Sequence, residues 1–309
     1  FGAKVTPGKL RAAMKELGFT DVFEVAIGAD LCAEQEAEDF IKEVPEKLPF
    51  MATSCCPAWS VMAKKLFPDY ANCISMALTP MTLTARLIKK QNKNAKVVFI
   101  GPCAAKKLEA MRRTVKSEVD FVLTFEEMTG IFAAKNIKVE LLEEDPAGVS
   151  DASADGRNFA VSGGVAKAVE NVIHEKYPDR EVKIANAEGL KECRKLLTVA
   201  KAGKYNGYLL EGMACPGGCV GGGGQPQHDG VEMAFERGKN LYFLDANADI
   251  RRSHENPDVK ALYDNYFEQP LSHKSHMLLH TDHNKWQMPP SPQRNRNGYV
   301  INPNAKLQG

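Results

Sequence analysis

The sequence predicts an α/β protein with two β-sheets covered by helices, and two observations carry this. Strand-length apolar runs alternate with amphipathic helical segments along most of the chain. No apolar run reaches the 18 or more residues that a membrane-spanning helix needs. The 309 residues, 44% apolar and 26% charged, have the make-up of an ordinary globular protein. At about 100 to 200 residues per domain this length allows one large domain or two lobes. Forty basic side chains against 39 acidic ones leave a net charge of +1, which excludes the broad electrostatic footprint of a nucleic-acid binder or a polybasic membrane protein.

Taken in order, helix 7–17 places Leu10, Met14 and Leu17 at helical spacing and stops at Gly18. Strand-like runs follow at Phe23 to Ile27, Lys96 to Ile100 and Phe121 to Thr124. Glu143 to Asp155, with Pro146, Gly148 and Ser150, reads as a loop. Phe159 to Val161 reads as a strand, and helix 165–177 opens after Ser162, Gly163 and Gly164. Val182 to Ala185 is a strand, helix 189–202 puts Leu190, Cys193, Leu196 and Leu197 on one face, and Tyr208 to Leu210 is a strand again. Met213 to Gly230 is a glycine-dominated loop. Residues 1–283 are expected to fold together as two lobes, and 284–309, rich in Asn, Pro, Gln and Arg, to form a polar tail. The opening Phe-Gly-Ala-Lys has no signal-peptide anatomy, so a piece of a longer, cytoplasmic chain is expected.

Eight cysteines are too sparse for a disulfide scaffold, yet five sit in three tight motifs, which suggests metal ligation in a reducing compartment. The first is Thr53-Ser54-Cys55-Cys56-Pro57-Ala58-Trp59. Successive side chains on extended backbone diverge, so one thiol of this pair can ligate while the other stays free, unless both are buried as small apolar residues. The second is Gly101-Pro102-Cys103, with Lys106 three residues on as an electropositive neighbour and Lys107 as a solvated charge. The third runs from Glu211 through Met213, Cys215 and Cys219 to Pro226, where glycines let backbone approach an inorganic cluster. Cys56, Cys103, Cys215 and Cys219 then make one four-thiolate site from three distant segments. Zinc sites come as local pairs, so an iron-sulfur cluster is the better fit.

Together the three motifs resemble the catalytic domain of the iron-only (FeFe) hydrogenases, over about Val5 to His283. Gly212 departs from the larger apolar residue usual in that family, and Gly101 from its methionine; the second departure looks like the subgroup called group B. The resemblance implies an iron-sulfur cluster in the cleft between two lobes. This is the H-cluster, a 4Fe-4S cubane joined to a two-iron unit that carries carbonyl, cyanide and a bridging dithiolate amine. Carried over, Cys56, Cys103, Cys215 and Cys219 hold the cubane, and Cys219 bridges to the two-iron unit. Cys55 is the unligated proton-passing thiol, Lys106 donates to a cyanide, and Pro102, Thr79, Pro80, Phe159 and Met213 line the two-iron unit.

The implied activity is the interconversion of protons and electrons with dihydrogen. By the same alignment Glu36, Asp39 and Ser75 relay protons, and Asp39, shorter than the usual glutamate, implies a water bridge or a slower wire. Glu34 and Glu38 read as a solvated helix face. Cys32, Cys73 and Cys193 read as buried apolar positions, and His174, His254, His273, His276 and His280 as structural, without a matching set of ligands. Ser253-His254-Glu255-Asn256 resembles a family segment. Gly101 is expected to leave space beside the two-iron unit. Expected partners are ferredoxin, or an upstream ferredoxin-like domain, and the maturation enzymes. The alternatives are a hydrogen sensor and a hydrogenase-like iron-sulfur assembly protein, whose members generally lack the whole Thr-Ser-Cys-Cys-Pro motif.

Overall fold

The computed structural model describes residues 4–112, 115–149, 151–227 and 233–282, and the backbone alone of 293–294 and 300–301. The expected tail lies almost wholly outside the described residues, as does the end of the glycine loop. In chain order the longer elements are α1 (Pro7–Glu16), α2 (Ala26–Glu43), β1 (Met51–Ala52), α3 (Pro57–Leu66), α4 (Pro80–Gln91), β2 (Val98–Gly101) and α5 (Ala105–Ala110). Then come β3 (Phe121–Thr124), α6 (Phe125–Ala134), α7 (Ala154–Asn158), α8 (Gly164–Lys176), β4 (Lys183–Glu188), α9 (Leu190–Lys201) and β5 (Tyr208–Met213). The C-terminal part adds α10 (Ala234–Ala246), α11 (Pro257–Leu262) and α12 (His273–Leu279).

Two separate parallel sheets form, one in the order β1-β5-β4 and one pairing β2 with β3, so the α/β reading holds. Helix starts follow local chemistry. Thr6 caps α1 ahead of Pro7 at the first helical position, and Thr124 with Glu127 makes a reciprocal capping box on α6. Two expected strands are absent. The run 23–27 enters α2 at Ala26, because among the described residues no neighbouring strand offers it a ladder and the Gly28 amide already donates to the Val25 carbonyl (3.0 Å) as a helical turn. Residues 159–161 form a turn after α7, since the amides of Ala160 and Val161 donate back to Arg157 and Asn158.

Helix α2 runs through the largest core, where Leu31 and Phe40 pack with Val169 and Ile173 of α8 and Leu209 of β5. The other face of that sheet is closed by a second core of Phe50, Trp59, Leu197 and Leu210 with α3 and α9. Met14, Met128 and Phe132 form a third, against Ile100 and Leu123 of the second sheet. Side chains of this size contribute about 1.5–3 kcal/mol each when fully buried, so these cores fix the two sheets firmly.

Candidate active site

Both sheets point the carboxyl ends of their strands toward one region, the place where parallel α/β sheets build sites from their loops. β1 ends in Thr53 to Cys56, β2 in Pro102 and Cys103, and β5 in Ala214 and Cys215. Thr53 donates its amide to Leu210 (2.9 Å), extending the parallel ladder, and Trp59 Nε1 donates to the Thr53 carbonyl (2.9 Å), closing the turn that starts α3. The glycine loop is laid directly on the other strand end. Gly224 donates to the Pro102 carbonyl (2.9 Å), and Val220 donates to Ala160 (3.1 Å) in the turn after α7. Gly218 shows why glycine is needed here, because φ is +90° and an added Cβ would lie 2.6 Å from the Ser162 nitrogen.

Cys56, Cys103, Cys215 and Cys219 are electrostatic neighbours in this cradle. Burial, with Cys56 and Cys103 adding to it, pushes the Cys219 thiol up to about 12. Burial also raises Cys56 and Cys215, each with Cys103 adding to the effect. The Cys56, Cys215 and Cys219 thiols so placed hold their protons until a cation replaces them. Among the described residues no three of the four cysteines have sulfurs within 4.8 Å of one another. A single zinc ion with bonds of about 2.3 Å would need sulfurs roughly 3.8 Å apart, so this all-thiolate, glycine-walled cradle fits a larger iron-sulfur cluster.

Beside the cradle, Cys55 is half-buried against the core that includes Phe159 and Met213, and desolvation holds its thiol well above the ordinary value, with Glu36 and Cys32 adding to the rise. Lys106 is 8% exposed. Burial works against its charge, but the Glu109 carboxylate outweighs burial and keeps the ammonium charged. Its Nζ donates to Glu109 Oε2 (2.8 Å) and to the Cys55 carbonyl (3.2 Å), while Thr79 Oγ1 donates to Glu109 Oε1 (2.6 Å). An ammonium has three N–H groups, so one remains for a ligand. Thr79 and Pro80 begin α4, and Pro102 is half-buried at the end of β2. Space is not left at Gly101. A Cβ there would meet the Phe99 ring at 2.5 Å, so the aromatic ring two residues back on the same strand face takes that volume. Gly212 is filled likewise, its Cβ position lying 2.3 Å from the Trp59 indole.

Glu36 lies on α2 with no exposure and neither carboxyl oxygen in a formed hydrogen bond. Burial, helped by Asp39, outweighs the lowering influence of the Ser75 hydroxyl and Ser54 amide and pushes its pKa up to about 8. Asp39, one turn on, meets His280, whose Nε2 is 2.7 Å from Oδ2, and the His280 ring stacks on His276 with centroids 4.0 Å apart. So His280 does have a carboxylate partner, and His276 lies near the same carboxylate. They lie some 240 residues beyond Asp39, which is why their set could not be recognised from local spacing. Glu34 and Glu38 are not solvated either. Lys176 pairs with both, and Tyr177 Oη donates to Glu38 (2.7 Å), tying α2 to α8. Cys32, Cys73 and Cys193 are buried as expected, and Lys107 makes an exposed pair with Glu127.

Two buried carboxylates escape sequence reasoning. Asp30 accepts from the Ser153 amide (2.8 Å) and hydroxyl (2.5 Å), from Ser253 Oγ (2.8 Å) and from Asn256 Nδ2 (2.8 Å). The Ser253–Asn256 segment was the available signal, and its work is to clamp α2. Glu211 accepts from the amides of Gly163 (2.7 Å) and Ala166 (2.8 Å) at the start of α8, and burial pushes its pKa up to about 7.

A family model described as iron only hydrogenase large subunit, C-terminal domain, matches residues 1–223, and one described as iron hydrogenase small subunit matches 232–286. The NADP-reducing hydrogenase subunit HndD of Solidesulfovibrio fructosivorans is 35% identical across 93% of this chain and 57% of its own length. This chain therefore spans little more than half of that relative. The cytosolic Fe-S cluster assembly factor narfl of Xenopus tropicalis is 26% identical across 90% of this chain and 69% of its own. A variant of the apo FeFe-hydrogenase HydA1 of Chlamydomonas reinhardtii superposes with a TM-score of 0.76 at 29% identity, covering 90% of this chain and 87% of that one. Among the described residues no helix is long and apolar enough to cross a membrane.

Proposed function

The chain belongs to the iron-only hydrogenase family, and from that premise we propose that residues 1–283 are a catalytic domain interconverting protons and electrons with dihydrogen. The observation that carries this is a thiol outside the four-cysteine set, Cys55, half-buried beside the fully buried Glu36, which in turn neighbours Ser75 and Asp39. An assembly protein that only stores or passes a cluster has no use for a protonated thiol next to an unpaired buried carboxyl.

Cys56, Cys103, Cys215 and Cys219 would hold the cubane, with Cys219 bridging to the two-iron unit. When bound, the H-cluster supplies the redox chemistry and the site of dihydrogen formation. Cys55 holds a proton at Sγ, its burial keeping the thiol neutral. Glu36, with a pKa near 8, can carry or release a proton close to neutral pH, which is what a relay needs. Ser75, whose hydroxyl can both donate and accept, lies beside it, and Asp39 follows on the same face of α2. The free N–H of Lys106 is suited to a cyanide, and Pro102, Thr79, Pro80, Phe159 and Met213 exclude water around it. Electrons would pass between the cubane and ferredoxin, or an upstream ferredoxin-like domain, in the cytoplasm, and maturation enzymes would install the two-iron unit.

The resemblance to a cluster assembly factor supports a second reading, a cluster-holding protein without turnover. Infrared spectroscopy of anaerobically purified protein, co-expressed with the maturation enzymes, separates them. Carbonyl and cyanide bands that shift under hydrogen are expected. Their absence from protein with a demonstrated cubane, persisting after addition of a synthetic two-iron complex, would overturn the enzyme reading.

A further inference from the structure

We propose that Asp39, His276 and His280 form a binding site for a zinc-like divalent ion at the outer end of the α2 carboxylate row. One ligand atom from each of the three residues lies within 4.8 Å of the others. Two imidazoles and a carboxylate are a donor set that divalent zinc, cobalt or nickel accepts, with a position left for water. His276 and His280 are four apart at the end of α12, the spacing that puts two side chains on one helix face.

The site is held in place before any ion arrives. Leu78 donates to the Leu279 carbonyl (2.7 Å) and Thr281 to Met76 (2.7 Å), so His280 is fastened by backbone on both sides to the segment following Ser75. Its side chain is only 5% exposed, and its Nδ1 is buried without a hydrogen-bond partner. His276 is exposed, which gives an ion a way in from solvent. Lys42 and Glu43 also face this cluster, and their opposite charges offset each other.

Binding replaces any proton shared between His280 and Asp39 with the ion, and the proton leaves to solvent. The consequence rests on the proposed relay role of Asp39, because a filled site withdraws Asp39 from proton transfer. Zinc should then slow hydrogen turnover without touching the cluster.

Zinc is titrated calorimetrically into cluster-loaded protein, in which the cubane thiols are already occupied, and the bound ion is probed by zinc X-ray absorption. One equivalent with a nitrogen and oxygen shell is expected, and His276→Ala, an exposed substitution, should weaken it by at least about tenfold. No binding, equal binding by His276→Ala, or sulfur in the zinc shell would each overturn the site. Turnover is then measured with and without zinc in both proteins. Inhibition of the wild type that His276→Ala relieves supports the blockade. Binding with unchanged turnover keeps the site and removes Asp39 from the proton path.

Discussion

Asp30 and Glu36 are buried carboxylates on the same helix, fewer than two turns apart, and their surroundings differ completely. Asp30 accepts four hydrogen bonds from three residues on two other segments. Glu36 has none of good geometry and sits against Cys55, Ser75 and Asp39, with its pKa pushed up to about 8. Burying a carboxylate is tolerable when donors replace water, and otherwise the group keeps its proton. The first arrangement fixes a helix and the second holds a proton ready to move. Helix α2 does both, so its Asp30 end anchors the fold while the stretch beyond faces the chemistry.

The largest effect should come from the proton-handling side. Cys55→Ala and Glu36→Gln are each expected to lower hydrogen turnover by roughly 10²–10⁴-fold while the carbonyl and cyanide bands persist, whereas Cys215→Ala should prevent stable cluster assembly. Turnover left unchanged by Cys55→Ala would break the comparison at its more important end.

The anchoring side predicts a loss of stability instead. Asp30→Ala strands the Ser153 amide and the Ser253 and Asn256 side chains, at a cost of about 3–5 kcal/mol measured by anaerobic urea denaturation. Asp30→Asn, which keeps an acceptor, should lose less. Equal losses for the two would mean that volume rather than hydrogen bonding holds this corner.

Glu36 supplies a pH test with a definite sign. Its pKa is 4.5 in ordinary surroundings and about 8 in the fold, so between these values the folded chain keeps a proton that the unfolded chain has released. Wild-type stability from this group is therefore full below pH 4.5 and declines toward pH 8, by up to roughly 1.4 kcal/mol per pH unit. Glu36→Gln cannot ionise and escapes the decline. The gap in urea midpoint between the two should widen across that range and level off above it. A constant gap would show that Glu36 titrates as an ordinary carboxylate.

The cysteine cradle was legible because each motif is local and sits at a strand end, where chain order alone brings backbone to the site. The strands at 98–101, 121–124 and 208–213 were legible for the same reason, being short apolar runs bounded by turns. The turn at 159–161 was not, since its apolar residues pack toward the site without a partner strand. Nor were the partners of α2: Lys176, Ser253, Asn256 and His280 reach it from 142 to 241 residues away, so nothing in the spacing along the helix announces them. Glu34 and Asp30 look alike on a helical wheel, and only the packed neighbours distinguish them from solvated charges.

The two glycines that depart from the family pattern give the smallest effect and refine the contrast between fixed and yielding surroundings. At Gly212 a Cβ would press on the middle of the Trp59 indole, which is fully buried and pinned by its bond to Thr53. Gly212→Ala should therefore cost about 1–3 kcal/mol, since a packed core cannot make room without strain. At Gly101 the obstacle is the far edge of the half-buried Phe99 ring, which can swing aside. Gly101→Ala should cost less than about 1 kcal/mol, and Phe99→Leu beside it should recover most of that. A larger loss at Gly101 than at Gly212 would mean that the end of β2, which positions Cys103, is the more tightly held wall of the cradle.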